Sequence, residues 1–137
     1  MILVDTNVWS ELLKPLRHEG AVAWLAANER DLVLSSIVLA ELHYYVAKQP
    51  AGARRQRAAA TIQAIDAGVG SRFADFAGGT ARHYGELMAE RRATGRTMPA
   101  IDGLIAAQAL EGGHALATRN VADFAGAGLV LIDPWTA

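Results

Sequence analysis

A small set of polar side chains stands where it could meet around one metal ion or one reacting group. Asp5 follows the apolar run Ile2–Val4, and both Asn120 and Asp123 follow a second such run, Ala115–Thr118. Ligands of open parallel sheets bind beyond the carboxyl ends of the strands, so residues that directly follow strands are informative. A single Asp after a strand is commonly a turn or helix-capping residue, and two further acids therefore decide the interpretation.

Glu41 and Asp102 both fall within predicted helices that are otherwise apolar. Glu41 shares a helical face with Val38 and Tyr45, at spacings of three and four residues. A carboxylate on that stripe must be paired, hydrogen-bonded or bound to a cation, unless it lies at the edge and reaches solvent. Asp102 lies near the start of MPAIDGLIAAQAL, where it is either a helix-starting acid or a functional one.

Carboxylates that converge at one end of a sheet, with no Lys among them, form a site for a hard divalent cation. Mg²⁺ prefers oxygen ligands and keeps several waters, which suits a phosphate-bearing substrate. Competing chemistries lack support. The His residues have no zinc-ligand spacing, no glycine-rich phosphate loop follows a strand, and Ser35 and Ser36 lack the sequence of a serine-hydrolase elbow.

The elements that must position these acids follow from the hydrophobic pattern. Strands are predicted at 2–4, 31–36, 115–118 and 129–132. Helices are predicted over about 7–14, 20–29, 37–48, 54–67, 79–94 and 100–111. Short buried strands separated by helices imply βαβ units, so we expect a three-layer α/β/α fold with a central, mainly parallel sheet.

Composition limits the class of protein. The chain has 137 residues, of which 52% are hydrophobic and 20% charged, and this predicts one folded domain over residues 1–137. The absence of cysteine excludes a disulfide scaffold, a thiolate zinc site and a Cys nucleophile. A net charge of -1 means that any nucleic-acid contact must come from local basic patches. Without a signal-peptide core or an apolar run of about 18 residues, we expect a cytoplasmic protein with no membrane partner.

Four motifs together resemble those of a known family. They are MILVDTNVWSELL, LSSIVLAEL, GRTMPAIDGLIAAQAL, and ATRNVADF followed by VLIDPW. In this order and at these intervals they resemble PIN-domain ribonucleases of the VapC toxin type, in the FitB-like branch, over essentially the whole chain. The resemblance implies a PIN-like fold and Mg²⁺-dependent cleavage of RNA that leaves a 5′-phosphate and a 3′-hydroxyl. It also implies that Mn²⁺ substitutes for Mg²⁺.

The same resemblance assigns roles to individual residues. Asp5 and Asp102 match direct metal ligands, and Glu41 matches a ligand, a water-mediated ligand or a residue that orients the attacking water. Many relatives have an Asp after the Thr-Arg pair, where this chain has Asn120, with Asp123 three residues later. Asn120 and Asp123 then complete the outer shell or form a second site that holds a metal more weakly.

Partners are implied in the same way. Relatives form homodimers that bind a small VapB-like antitoxin, whose carboxyl-terminal segment crosses the active-site groove, and DNA is reached only through that antitoxin. Among the basic residues, the candidates for RNA contact are Arg91, Arg92, Arg96 and Arg119. Arg54, Arg55 and Arg57 form a second basic cluster. Solvated helix faces are the other explanation of both clusters.

Other function classes remain as alternatives at this stage. The main one is a non-catalytic PIN-fold binding module that acts as antitoxin partner and co-repressor. A phosphohydrolase with Asp5 as nucleophile is less well supported, because such enzymes commonly carry a second Asp where this chain has Asn7. A phosphoacceptor domain would need a Lys after a late strand, and no Lys follows Lys48.

Overall fold

The computed structural model describes all 137 residues and contains one five-stranded sheet. Every strand pair is parallel, and the strand order is β3-β2-β1-β4-β5. The strands are β1 (Ile2–Val4), β2 (Leu32–Ser35), β3 (Phe73–Ala74), β4 (Ala115–Ala117) and β5 (Leu131–Ile132). The α-helices are α1 (Thr6–Trp9), α2 (Glu19–Ala27), α3 (Ser36–Ala47), α4 (Ala53–Val69), α5 (Gly78–Ala93), α6 (Ala100–Gly112) and α7 (Val121–Phe124). Two 3₁₀ turns occupy Ser10–Leu13 and Glu29–Asp31.

The sheet and its flanking helices confirm the predicted three-layer α/β/α architecture with a parallel sheet. Twenty-five buried apolar residues form one core cluster, to which every strand except β3 and β5 contributes fully buried side chains. The strands are apolar because both sheet faces are covered by helices. None of the helices is both long enough and apolar enough to cross a membrane.

The central position of β1 brings distant parts of the chain together. In the parallel register, Val4 pairs with Ala117, so β1 and β4 end side by side. The backbone N–H of Asp5 then donates to the carbonyl of Ala117 at 2.9 Å. The residues that follow these two strands, Asp5 and Thr118, therefore lie next to each other at the carboxyl edge of the sheet.

The segment predicted as one helix over 7–14 is instead divided between α1 and a 3₁₀ turn. The turn ends at Leu13, and Lys14 has an extended backbone with φ -81° and ψ 147°. Lys14 precedes Pro15, and a residue before proline is sterically excluded from the helical region. The turn that precedes Lys14 adopts the tighter 3₁₀ geometry, as helix ends commonly do.

Two short elements were not predicted from the sequence. Strand β3 has two residues, and helix α7 has four. Neither is long enough to show a hydrophobic period, so the pattern that predicts longer elements gives no signal. Helix α7 nevertheless matters for the site, because it carries Asp123.

A glycine allows α5 and α6 to approach each other closely beside Asp102. A Cβ atom added to Gly103 would lie 2.6 Å from the Met88 sulfur and 3.0 Å from the ring of Tyr84. No larger residue fits without displacing both neighbours. Gly103 therefore helps to determine where the first turn of α6, and with it Asp102, lies against α5.

Candidate active site

Asp5 is a buried carboxylate at the carboxyl end of β1, with only 5% of its surface exposed. One carboxylate oxygen accepts the Thr6 backbone N–H at 2.7 Å, which caps α1. The other accepts the Thr118 hydroxyl at 2.8 Å. Burial raises the pKa of Asp5; the hydrogen bonds from Thr118 and Thr6 act in the opposite direction, and the charge of Glu41 adds to the increase.

Glu41 is connected to the same cluster through Thr6. The Thr6 hydroxyl donates a hydrogen bond to the Glu41 carboxylate, which joins the first turn of α1 to the middle of α3. Glu41 is half-buried, as expected for an acid on an otherwise apolar helical stripe. The hydrogen bond supplies the partner that such a carboxylate needs.

Asp102 lies half-buried on the first turn of α6 and accepts no hydrogen bond from the chain. Its pKa is raised to about 6, first by burial and then by the negative charges of Asp5, Asp123 and Glu41. No positively charged group offsets these effects. The other three carboxylates are thus close enough to act electrostatically on Asp102, which lacks a counter-charge.

Thr118 and Asn7 order the polar groups around Asp5. The Thr118 hydroxyl, which donates to Asp5, accepts the backbone N–H of Asn120 at 3.1 Å. The Asn7 side-chain N–H₂ lies 3.4 Å from oxygens of both Asp5 and Thr118, and its carbonyl accepts the Arg119 N–H at 3.2 Å. These contacts fasten the loop after β4 to the start of α1.

The remaining predicted acidic-site residues lie on the solvent side. Asn120 is exposed, and its side chain neither caps α7 nor makes another hydrogen bond within the chain. Asp123 is also exposed, on α7, with its charge acting on Asp102. The structure therefore places Asp5, Glu41, Asp102 and Asp123 around one site, with Asn120 contributing its backbone to that site.

Sequence reasoning missed Thr6 and Asn7. Both are small polar residues that directly follow the buried acid in the Asp-Thr-Asn triplet. A carboxylate that is buried needs donors, and the nearest donors in the chain are the obvious candidates. The need of the buried Asp5 for hydrogen-bond donors is the signal in the sequence that points to Thr6 and Asn7.

A family model described as the PIN domain matches residues 2–126. This chain belongs to the PIN-domain family. The VapC ribonuclease Y4jK of Sinorhizobium fredii is 37% identical over 137 residues, which cover 98% of each chain. The toxin FitB of Neisseria gonorrhoeae is 35% identical over an alignment 140 residues long, which covers 98% of this chain and 99% of FitB. The crystal structure of FitAcB from the same organism contains a chain that superposes with a TM-score of 0.93, at 34% identity and with complete coverage of both chains.

These comparisons confirm the resemblance that the motifs indicated, and they confirm the PIN-like fold. The residues that carry the resemblance are also the residues that the structure places together. Asp5 ends β1, Glu41 lies on α3, and Asp102 begins α6, all at the same edge of the sheet.

The structure of this PIN domain assigns Arg91 a different role from the expected RNA contact. Arg91 is only 6% exposed, and its guanidinium donates to the backbone carbonyls of Ala125 at 2.6 Å and Asp123 at 2.8 Å. A guanidinium bonded in this way has little surface to offer a phosphate. We therefore reassign Arg91 to holding α7, and thus Asp123, in place. Arg92, Arg96 and Arg119 are exposed.

The acidic side chains of the site are oxygen donors, the kind of ligand that a hard divalent cation prefers. No three His, Asp or Glu side chains are close enough to enclose a metal ion together. Mg²⁺ does not require such a cage, because it is commonly held by one or two carboxylates and keeps several waters. The acidic side chains all offer oxygen ligands, and no cation acts on Asp102. This chemistry fits a hard divalent cation with a largely hydrated shell.

Proposed function

We propose that this PIN domain, spanning residues 1–137, is a divalent-metal-dependent endoribonuclease that acts as the toxin of a toxin–antitoxin pair. The observation that carries the proposal is the cluster of Asp5, Glu41, Asp102 and Asp123, in which burial and the charges of the other three acids raise the pKa of Asp102 to about 6 without any balancing cation. A fold that keeps such repulsion gains nothing in stability from it. Relatives named as a ribonuclease and as a toxin support the choice of activity.

Asp5 and Asp102 are the residues that would hold Mg²⁺ or Mn²⁺, with Glu41 as a further ligand or as the group that orients water. When bound, the metal would polarise the scissile phosphate and lower the pKa of a water, so that hydrolysis leaves a 5′-phosphate and a 3′-hydroxyl. Thr118 and Thr6 orient the Asp5 carboxylate through their hydrogen bonds. Thr6 also fixes Glu41 through its hydroxyl.

Residues on the α7 side complete the proposed site. Asp123 adds negative charge toward Asp102, and Asn120 offers an amide oxygen that is free of contacts within the chain. We assign these two to an outer shell or to a weaker second metal. The exposed Arg92, Arg96 and Arg119 are our candidates for phosphate contacts at this end of the site.

The proposed partners follow from the same assignment. The substrate is RNA, and a VapB-like antitoxin inhibits the enzyme by extending a segment across the acidic site. An antitoxin Arg would pair with these carboxylates and displace the metal. We also propose a homodimer, with DNA reached only through the antitoxin.

A non-catalytic binding module is the competing function. Such a module would bind an antitoxin and act in repression. Pairing with an antitoxin Arg would be the sole use of its clustered, mutually repelling carboxylates, whereas the enzyme also uses them to hold a metal. The clustering of Asp5, Glu41 and Asp102 therefore favours the enzyme.

The direct test is a Mg²⁺ titration with a mixed pool of RNA. We expect cleavage that rises with Mg²⁺ or Mn²⁺ and stops in excess EDTA, with 5′-phosphate ends on the products. Ca²⁺ should bind but support little cleavage, because its looser coordination positions water poorly. Cleavage that persists in EDTA would exclude the metal mechanism, and no cleavage with any metal would favour the binding module.

A further inference from the structure

Two hollows on the surface share Lys14 in their linings, and one of them includes residues of the acidic site. This first hollow has a volume of about 310 Å³, and Thr6 and Glu41, which belong to the site, line it. Lys14 and Lys48 line it as well. The hollow therefore adjoins the carboxylate cluster and adds two cations beside it.

The second hollow shares Lys14 and has a purely basic set of charges. It has a volume of about 440 Å³, and its charged lining residues are Lys14, Arg17, Arg54 and Arg57, with no acid. We call the two hollows together the basic track. Its cations are Lys14, Arg17, Lys48, Arg54 and Arg57.

Most of these cations have no ion-pair partner within the chain. Lys14 pairs with Glu11 at 2.9 Å, whereas the other four form no ion pair. Arg54 and Arg57 also stand in the opening turns of α4, a helix whose first turn carries no acid. Cations are unfavourable at a helix amino terminus, because the backbone dipole is positive there. Their placement does not help the helix, and it creates a strong field for an anion.

Aromatic side chains lie between these charges. Tyr44 is 68% exposed, and Tyr45 is half-buried, and both line the first hollow. The Lys48 ammonium lies 5.2 Å from the centre of the Tyr44 ring and 5.8 Å from that of Tyr45. Surfaces that bind single-stranded nucleic acid combine aromatic rings, on which bases stack, with cations that follow the backbone.

We propose that the basic track binds a single-stranded part of the RNA substrate on the Glu41 side of the acidic site. This inference rests on the proposed ribonuclease function and names where its substrate lies. An RNA strand must approach carboxylates that repel it, and a basic groove beside those carboxylates offsets the repulsion. A single strand fits better than a duplex, because stacking on Tyr44 requires an unpaired base.

The role of the Arg54 and Arg57 charges is tested by measuring RNA binding under conditions without cleavage. A labelled, mixed-sequence single-stranded RNA is titrated in EDTA, and its anisotropy is followed over a range of salt concentrations. Arg54→Gln/Arg57→Gln should bind about tenfold more weakly than the parent, and its salt slope should fall by about 1.4, since each phosphate contact contributes about 0.7. The control Arg30→Gln/Arg82→Gln removes the same charge from exposed sites elsewhere and should change both values little.

Thermal melts and Tyr44 variants separate binding from a structural role. Arg54→Gln/Arg57→Gln should melt no lower than the parent, because the two cations oppose the helix dipole. Tyr44→Ala should weaken RNA binding by about tenfold, and Tyr44→Phe should bind like the parent, since the ring is what stacks. Equal weakening by the Ala and Phe variants would overturn the stacking part of the proposal.

The outcomes distinguish this inference from the proposed function. If the parent cuts RNA, but Arg54→Gln/Arg57→Gln binds and cuts as the control variant does, the track is overturned and the enzyme stands. If the parent binds RNA through the track but cuts none with Mg²⁺, the enzyme is overturned and the track stands. If light scattering shows that Arg54→Gln/Arg57→Gln has a different oligomeric state from the parent but the same RNA affinity, the surface is an interface between copies and the track is overturned.

Discussion

Glu11 and Asp102 are both acids that the fold withdraws from water, but their surroundings shift their pKa values in opposite directions. Burial acts to raise the pKa of Glu11, yet hydrogen bonds from Lys14 and the His18 backbone, together with the Lys14 charge, outweigh it, and the pKa is lowered. The Lys14 ammonium is 2.9 Å from one oxygen, and the His18 N–H is 2.7 Å from the other. For Asp102, burial and three neighbouring acids all raise the pKa.

The difference separates an acid that serves the fold from one that we propose serves a ligand. Glu11 finds its counter-charge and its donor within the same loop, so the chain itself satisfies it. Asp102 has neither, and its neighbours make its charge less favourable. A cation from outside the chain would reverse that effect. Each prediction below either breaks this contrast or makes it sharper.

The largest expected effect is the loss of cleavage in Asp102→Asn. The substitution keeps the shape of the side chain and removes a proposed metal ligand, so activity should fall by about 100-fold or more. Initial rates on a fixed RNA, at saturating Mg²⁺, measure the loss. Asp66→Asn is the matched control, because Asp66 is an exposed acid on α4, and it should cut at the parental rate. If the two variants were equally active, Asp102 would have no place in the catalytic site.

The second prediction concerns Glu11. Glu11→Gln removes the charge that pairs with Lys14, so the free energy of unfolding should fall by about 1–3 kcal/mol. Urea denaturation measures this change. At saturating RNA the folded variant should cut at the parental rate, because Glu11 lies outside the carboxylate cluster, although the freed Lys14 can change RNA affinity. An unchanged stability would show that the Glu11 ion pair contributes nothing and would remove one side of the comparison.

The third prediction is a metal response in thermal melting. Mg²⁺ should raise the melting temperature of the parent and of Glu11→Gln, since a ligand stabilises the state that binds it. Asp102→Asn should show little or no rise. Without metal, Asp102→Asn should melt as high as the parent or slightly higher, because one of the repelling charges is gone. A variant that melts clearly lower yet still responds to Mg²⁺ would identify Asp102 as a helix-starting acid.

The sequence was sufficient to predict the acids and their elements, but not the contacts between them. Apolar runs located Asp5 after β1 and Asp102 within α6, because both signals are local. The hydrogen bond between Asp5 and Thr118 joins residues 113 positions apart, and it depends on β4 pairing with β1. Strand order is not contained in a local pattern, so such contacts need the assembled sheet.

Arg91 shows where a closer reading of the sequence would have succeeded. The run of charges around it predicts an RNA contact, although Arg91 lies four residues after Leu87 on the same helical face. Both side chains are buried in α5. Helical spacing from a core leucine predicts an inward-facing arginine, whereas a run of charges suggests a solvated one. Here the spacing was the better guide.

The smallest expected effect is a difference in pH dependence without metal. The folded pKa of Asp102, about 6, exceeds its unfolded value of 3.8. The folded state therefore holds the proton more tightly, and this stabilisation is complete below about pH 4 and is lost as the pH rises through 6. The folded pKa of Glu11 is lowered from 4.5, so its stabilisation is present above about pH 4.5 and is lost as the pH falls.

Both signs are tested by melting temperatures of three metal-free proteins, the parent, Asp102→Asn and Glu11→Gln. The measurements run from pH 3.5 to 7.5, a range of about four units around these pKa values. Asp102→Asn should lose part of the decline between pH 4 and about 7, because Asp5, whose pKa is also raised, still contributes to it. Glu11→Gln should lose part of the decline toward low pH. Identical profiles for the parent and Asp102→Asn would mean that the Asp102 carboxyl titrates normally and that its neighbours do not repel it.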